Sequence, residues 1–294
     1  FGTILNQRGG LKTFPAVSKA VDHLGLPRND FSLEEVWTCL DFYGKLEDAL
    51  PAPKPWRNES PDIKRAVLRV YGKRCDRIAD RLPRRASYTL GRLMKNEVSR
   101  GDLLVSFNYD TLVERVAVRF GHRLCAVGCT PSRHSVLLSK PHGSASWTMD
   151  LNLRRVTWHE HDGSPLLDSL SEQEVKRRRE PLVLGAVPIK SELIREVQCS
   201  FPEIFSVVTS QWKAVVDALK KSNALVVVGY SFPREDLYGR FMFAEAMRYR
   251  KTNLRVQFFD LPDVASERCK EIVDVFGRRI SRLEYRGPVE MYRQ

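Results

Sequence analysis

The sequence after Gly101 alternates short apolar runs with segments of helical spacing, and this alternation constrains the fold more than any other feature. Strands that are buried on both faces of a parallel sheet read as almost continuous apolar runs, and helices connect them. The chain is therefore predicted to form an α/β fold with a doubly wound parallel sheet. The predicted strands are LLVSF at 103–107, VLLSK at 136–140, ALVVVG at 224–229 and LRVQFF at 254–259. The predicted helices lie near 88–98 and at 111–120, 209–221, 234–250 and 263–276.

The first third of the chain reads as mainly helical. Ser32 and Glu35 form a capping box ahead of apolar residues at helical spacing. We expect a helical module at about 31–100 that packs against a core at about 101–294. Both belong to a single domain that covers 1–294, since a chain of this length can bury one full core.

Residues 145–180 interrupt the alternation. The segment TWHEHDGSP predicts a hairpin around Asp162-Gly163, and a charged run ending in KRRRE follows it. We interpret this segment as an excursion from the core.

The composition is that of an ordinary globular protein, with 43% hydrophobic residues. No apolar run approaches the roughly 20 residues that span a bilayer, and the first residues do not resemble a signal peptide. We therefore expect a cytoplasmic protein that has no membrane partner.

Six cysteines are scattered through the chain, and of these Cys125 and Cys129 lie close together. This spacing matches neither a disulfide framework nor a four-cysteine zinc ribbon. With His134 the pair offers at most three candidate ligands, and LCAVGC is more simply a strand with buried thiols. His159 and His161 share one face of a predicted strand, but the sequence indicates no third ligand for them. We expect no metal site.

The net charge is +12, and the largest local excess of positive charge lies at residues 54–100. Between residues 54 and 100 the chain carries 14 lysines and arginines against 5 acidic residues. Such a basic surface attracts the phosphates of nucleic acid or nucleotides. A solvated helix surface explains the same charges equally well. Nucleic acid is thus a candidate partner through the basic helices at 54–100.

Polar residues follow three of the predicted strands. The three triplets are Asn108-Tyr109-Asp110, His142-Gly143-Ser144 and Gly229-Tyr230-Ser231. Each triplet alone has a local explanation, because Asp110 can cap the next helix and the glycines suit tight turns. Together they would place an amide, a carboxylate and an imidazole at the carboxyl edge of one parallel sheet, where nucleotides bind.

The segments FNYD, KPHGS and VVVGYSFPREDLYG, in this order, resemble the sirtuin-like NAD-consuming domains common in bacterial and archaeal proteins, including anti-phage defence effectors. The segment FSLEEVWTCLDFYG is similar to one that those domains carry early in the chain. The resemblance extends from about residue 31 to the C-terminus. It implies a Rossmann-like sheet that binds NAD as its substrate.

The resemblance also implies roles for individual residues. Asn108 and Asp110 match the Asn-x-Asp that orients the nicotinamide ribose and the attacking water, and His142 matches the catalytic histidine. The residues that the resemblance places against the cofactor are Gly143, Ser144, Gly229, Tyr230 and Ser231.

Two departures from the family pattern are visible. The Gly-Ala-Gly-x-Ser phosphate loop should lie at the very start, where this chain has FGTILNQRGG. We therefore expect an apolar strand and a Gly-x-Gly turn within about 20 residues upstream of Phe1. The zinc ribbon of the protein-deacylating sirtuins has no counterpart, which disfavours a deacylase.

The chemistry that the resemblance implies suits these residue types. Cleavage of the nicotinamide–ribose bond builds positive charge on the sugar, so it needs an orienting group, a base and nearby negative charge. The predicted function is hydrolysis of NAD to nicotinamide and ADP-ribose, with a role in anti-phage defence and with an activating partner or a second copy of the chain as further candidate partners. The alternatives are a protein deacylase of the same fold and a non-catalytic module that binds nucleotide or nucleic acid.

Overall fold

The computed structural model describes Asp22 and most of the chain from residue 89 to residue 287. The described ranges are 89–108, 110–128, 135–150, 155–158, 179–183, 202–233 and 236–287. Several predictions lie outside them, namely the capping-box helix, the basic segment as far as residue 88, the hairpin at Asp162-Gly163, and Cys129, His134, His159 and His161.

The first parallel unit covers residues 89–139 and contains three strands and two helices. Its elements are α1 (Thr89–Asn96), β1 (Leu103–Val105), α2 (Leu112–Arg119), β2 (Arg123–Ala126) and β3 (Ser135–Ser139). The strands run parallel in the order β1-β3-β2. Met94 of α1 is buried with Val116 and Ala117 of α2, and Leu104 packs against them. The two helices therefore cover one side of this sheet.

An antiparallel sheet follows directly. Its strands are β4 (Gly143–Asp150), β5 (Arg155–Trp158) and β6 (Arg179–Val183), and β4 lies in the centre. Trp147 pairs with Trp158 across the first ladder, and Gly143 pairs with Val183 across the second. The excursion predicted at 145–180 thus corresponds to an antiparallel sheet whose central strand begins two residues earlier, at Gly143.

The second parallel unit covers residues 202–285. Its elements are α3 (Pro202–Lys221), β7 (Ala224–Val228), α4 (Leu237–Arg248), β8 (Leu254–Phe259), α5 (Ala265–Phe276), a 3₁₀ turn (Gly277–Arg279) and β9 (Ile280–Tyr285). The strands run parallel in the order β7-β8-β9. Leu254, Val256 and Ile272 are fully buried, so β8 and α5 form the centre of this unit's core.

Contacts between the two parallel units join their carboxyl ends. Phe107, which follows β1, packs against the core of the second unit, as does Leu103 of β1. Leu93 of α1 is buried against Phe259 at the end of β8, with Val228 of β7 beside it. The loops that follow β1, β7 and β8 therefore meet in one region.

The structure confirms a mixed α/β fold with parallel sheets. Within the described ranges the strands form three separate three-stranded sheets, so the doubly wound arrangement remains a prediction. The helix predicted at 209–221 begins seven residues earlier because Pro202 suits the first turn of a helix. The strand β9 was not predicted, since ISRLEY carries charged residues at the edge of its sheet. None of the helices between residues 89 and 287 that the structure describes has the length and apolarity needed to cross a membrane.

Candidate functional site

His142 lies in the turn between β3 and β4, and its side chain is buried. Gly143 has a φ of 87°, and its N–H donates to the carbonyl of Lys140 at 2.9 Å, which closes the turn. The end of β3 is held by Gln211 of α3. The Ser139 hydroxyl donates to the Gln211 carbonyl at 3.0 Å, and the Gln211 side chain accepts the Lys140 N–H at 3.2 Å. These hydrogen bonds fix the backbone on both sides of His142.

Asp236 places a carboxylate beside this imidazole. Its Oδ2 lies 3.3 Å from Nε2 of His142, and the two side chains are only 5% and 6% exposed. Asp236 precedes α4 as its N-cap, and its Oδ1 accepts the N–H of Gly239 at 3.1 Å. The hydroxyl of Tyr230 donates to Oδ2 at 2.8 Å. The carboxylate thus receives a backbone donor and a side-chain donor while it faces His142.

Gly239 makes room for this arrangement in the first turn of α4. A Cβ at this position would lie 2.6 Å from Oδ2 of Asp236 and 2.9 Å from the hydroxyl oxygen of Tyr230. Both distances are shorter than side-chain carbons adopt in proteins. The glycine therefore allows the hydroxyl and the carboxylate to meet directly above the helix.

The surroundings of Tyr230 keep its hydroxyl protonated. Burial raises the pKa of Tyr230 well above its ordinary range, and the charge of Asp236 and the hydrogen bond to it act in the same direction. The positive charge of Arg240 opposes this rise. Tyr230 is therefore a permanent donor to Asp236 at neutral pH.

Aromatic rings frame the same group of residues. Phe107 stacks on Tyr230 with ring centroids 4.4 Å apart and meets the edge of His142 at 5.3 Å. Trp212 of α3 lies 5.7 Å from His142, and Tyr238 of α4 lies 6.1 Å from Trp212. Phe107 follows β1, His142 follows β3 and Tyr230 follows β7. The contacts of Phe107 with the other two rings therefore bring together the three loops that the sequence predicted to lie at one edge of the sheet.

Asn108 and Asp110 sit beside this frame, in the loop after β1. Asn108 is exposed, whereas Asp110 is half-buried and its Oδ1 accepts the N–H of Leu112 at 2.9 Å. Asp110 therefore makes the local contact expected of a residue before a helix. Beneath the loop, the fully buried ammonium of Lys140 donates to the Asp110 carbonyl and to Oε1 of Glu114 at 2.8 Å. Lys140 thereby ties the Asn108 loop to the His142 turn.

The loop from Gly229 to Phe232 is held by two arginines. Arg240 donates to the Phe232 carbonyl at 2.8 Å, and Arg268 donates to the Ser231 carbonyl. Gly229 has a φ of 61° and Phe232 a φ of 48°, and Phe232 is the one non-glycine with positive φ among the described residues. Such a conformation costs about 1–3 kcal/mol and is concentrated at functional sites.

The predicted cofactor-contacting residues fall into two groups. Gly229 and Ser231 are exposed, and a ligand can reach them from solvent. Gly143 and Ser144 are buried beneath the turn. The N–H of Gly229 donates to the Phe259 carbonyl at 3.0 Å. A ligand at this loop would therefore meet the exposed Ser231 and not the N–H of Gly229.

The residues that the structure describes contain no group of three or more histidine, cysteine, aspartate or glutamate side chains that could hold a metal ion. The thiol of Cys125 is buried on β2, in the strand that LCAVGC predicted.

Sequence reasoning missed Asp236, Phe107, Trp212 and Lys140. Asp236 stands 94 positions after His142, so spacing could not connect the two. Its one sequence signal is an acidic residue directly before a helix, which is the signature of an ordinary N-cap. Phe107 and Trp212 read as core residues, and Lys140 reads as the polar end of a strand.

Sequence comparisons add no family to these observations. No protein-family model matches the chain, and no curated protein matches it.

Proposed function

We propose that this chain hydrolyses NAD to nicotinamide and ADP-ribose. The proposal is supported by contacts among the three segments whose sequences resemble sirtuin-like domains, since Phe107 lies against both His142 and Tyr230. The observation that carries the proposal is the buried pair of His142 and Asp236, since an imidazole beside a carboxylate forms a general base.

The pairing indicates which imidazole nitrogen accepts a proton. A carboxylate accepts hydrogen bonds, so Nε2 of a neutral His142 carries the hydrogen and faces Asp236. The lone pair then resides on Nδ1. Water adds to C1′ of the nicotinamide ribose while the bond to the nicotinamide nitrogen breaks and its electron pair returns to the ring. The proton of that water passes to Nδ1, and Asp236 stabilises the imidazolium that forms.

The substrate would lie over the exposed residues beside His142. Asn108 is adjacent to Phe107, which touches the imidazole, so its amide can orient the nicotinamide ribose. Gly229 and Ser231 flank Tyr230 in the chain, and the Tyr230 ring stacks on Phe107. In this arrangement the two parallel units form the halves of a Rossmann-like, doubly wound fold, and NAD binds at their carboxyl ends.

The test compares NAD cleavage by wild-type protein and by variants of the proposed site. His142→Ala removes the base and should lower the rate of nicotinamide release by about 10²- to 10⁴-fold. Asn108→Ala should also lower it, because the ribose loses its orienting amide. Chromatography of nicotinamide and ADP-ribose measures both products, in the full-length protein with any activating partner supplied.

A matched control is His122→Ala. His122 contacts the Met94 carbonyl at 2.5 Å and lies outside the proposed site, so this variant should cleave NAD at the wild-type rate per folded molecule. Equal rates for His142→Ala and wild type would exclude His142 as the base. Nicotinamide release that requires an acyl-lysine peptide would identify a deacylase instead.

A further inference from the structure

We infer that Asp236 is a positioning residue that fixes the tautomer and orientation of His142. The inference rests on the proposed function for its catalytic consequence, but the pairing of the two side chains can be tested without NAD. Asp236 is only 5% exposed and therefore acts through the imidazole and not by contact with substrate.

The carboxylate is held in a defined place before it meets His142. The N–H of Gly239 donates to Oδ1, and the Tyr230 hydroxyl donates to Oδ2, so both oxygens have a fixed donor. Oδ2 is then shared between Tyr230 and the imidazole. A carboxylate restrained in this way presents an acceptor to Nε2 at one position and disfavours the tautomer that would place a lone pair there.

Two cations that the structure describes near this pair, Arg240 and Lys140, have other partners. Arg240, one turn further along α4, donates to the Phe232 carbonyl and to Glu271 at 2.8 Å in each case. Lys140, two residues before His142, is paired with Glu114. These two cations therefore do not compete with His142 for the carboxylate of Asp236.

The substitution Asp236→Asn makes a specific prediction about the tautomer. An asparagine has one side-chain oxygen, and the Gly239 N–H can only donate, so that oxygen should take the position of Oδ1. The amide nitrogen then takes the position of Oδ2. It donates toward both the Tyr230 hydroxyl, which can rotate to accept, and Nε2 of His142. The imidazole must therefore move its hydrogen to Nδ1, and Nδ1 loses the lone pair that would accept the proton of water.

The first measurement is independent of NAD. Long-range ¹H–¹⁵N correlation spectra of ¹⁵N-histidine-labelled protein at pH 8 report the tautomer of each ring, and His142→Gln identifies the His142 signals. Wild type should show hydrogen on Nε2, and Asp236→Asn should show it on Nδ1. Asp217→Asn, which removes an exposed carboxylate on α3, should leave the His142 signals unchanged.

The second measurement uses NAD cleavage. Asp236→Asn should lower kcat by about 10²- to 10⁴-fold and leave KM for NAD close to wild type, because the base is lost and no substrate contact is. Variants are compared at temperatures equally far below their melting points. If Asp236→Asn does not fold, Asp236→Ser replaces it, since serine preserves the N-cap and removes the carboxylate. With Asp236→Ser the His142 ring should lose its preference for hydrogen on Nε2.

The outcomes separate the two proposals. A wild-type tautomer in both Asp236 variants, or an unchanged kcat in an enzyme that cleaves NAD, would overturn the positioning role and leave NAD hydrolysis standing. A switched tautomer in a protein that releases no nicotinamide would support the positioning role and overturn the proposed hydrolase.

Discussion

Two buried charged clusters flank Pro141, and they differ in what their basic member can do. On one side Lys140 is fully buried and pairs with Glu114 at 2.8 Å. On the other side His142 pairs with Asp236 at 3.3 Å. A lysine ammonium can only donate hydrogen bonds, whereas a neutral imidazole has one donor and one acceptor nitrogen.

The difference separates a structural pair from a pair suited to chemistry. The Lys140 cluster lies within the first parallel unit and ties the end of β3 to α2 and to the Asp110 carbonyl. The His142 cluster joins β3 to α4 of the second unit. Removing either partner of the first pair leaves a buried charge without its counterion. In the second pair Tyr230 and Gly239 donate to the Asp236 carboxylate whether or not the imidazole carries a second proton. The contacts of Lys140 therefore hold the backbone before Pro141 in place, and His142 after Pro141 is the proposed proton acceptor.

Removal of the lysine should have the largest effect on stability. Lys140→Ala leaves Glu114 buried without its cation and frees the Asp110 carbonyl, so the free energy of unfolding should fall by about 3–5 kcal/mol. Urea denaturation at pH 7 measures this change. His142→Ala should cost clearly less, because Asp236 keeps the donors of Tyr230 and Gly239.

An exposed lysine provides the matched control for this prediction. Lys213 pairs with Asp217 one turn along α3, and the two side chains are 76% and 42% exposed. Lys213→Ala should lower the free energy of unfolding by no more than about 0.5 kcal/mol. If Lys140→Ala lowers the free energy of unfolding no more than Lys213→Ala does, the ion pair of Lys140 with Glu114 does not stabilise the fold as proposed.

A methyl group in the first turn of α4 should disturb the second cluster selectively. Gly239→Ala places a carbon within 3 Å of both Asp236 and Tyr230, and the resulting displacement should cost about 1–3 kcal/mol. The better helix propensity of alanine offsets about 1 kcal/mol of this. In an Asp236→Ser background the penalty should shrink, since the shorter side chain vacates the space. If the losses of unfolding free energy from Gly239→Ala and Asp236→Ser simply add in the double variant, the contact between the alanine methyl group and Asp236 is not the cause of the destabilisation.

Much of the second parallel unit was predictable because local sequence and tertiary environment agree there. The valines of β7 and the alternating apolar run of β8 gave strands whose predicted bounds differ from the observed ones by at most one residue. The prediction omitted the first seven residues of α3, although Pro202 suits the first position of a helix. The antiparallel strand β4 was missed because SASWTMD mixes small and polar residues, and its pairing with β6 depends on residues far along the chain.

The candidate site was predictable only in part, for a related reason. His142 and Asn108 stand directly after apolar strands, so their place at the carboxyl edge follows from the strand pattern. Asp236 follows its strand by eight residues and behaves locally as an N-cap. That its carboxylate also reaches His142 depends on how the two parallel units pack, through Phe107 and Tyr230. Packing between units carries no signature in the spacing of residues.

The expected effect that is absent at neutral pH and appears only at alkaline pH concerns Tyr230. Burial holds the pKa of this phenol above the ordinary value of 10.0, so the folded protein keeps its proton where the unfolded chain has lost it. The stabilisation is complete below pH 10 and decreases as the pH rises beyond it, by about 1.4 kcal/mol at pH 11. Urea denaturation between pH 8 and pH 11 should show this decrease in wild type and lack it in Tyr230→Phe. Tyr249→Phe, at an exposed site after α4, should follow wild type. A parallel decrease in wild type and Tyr230→Phe would mean that the hydroxyl is not a buried donor to Asp236, and the second cluster would then consist of His142 and Asp236 alone.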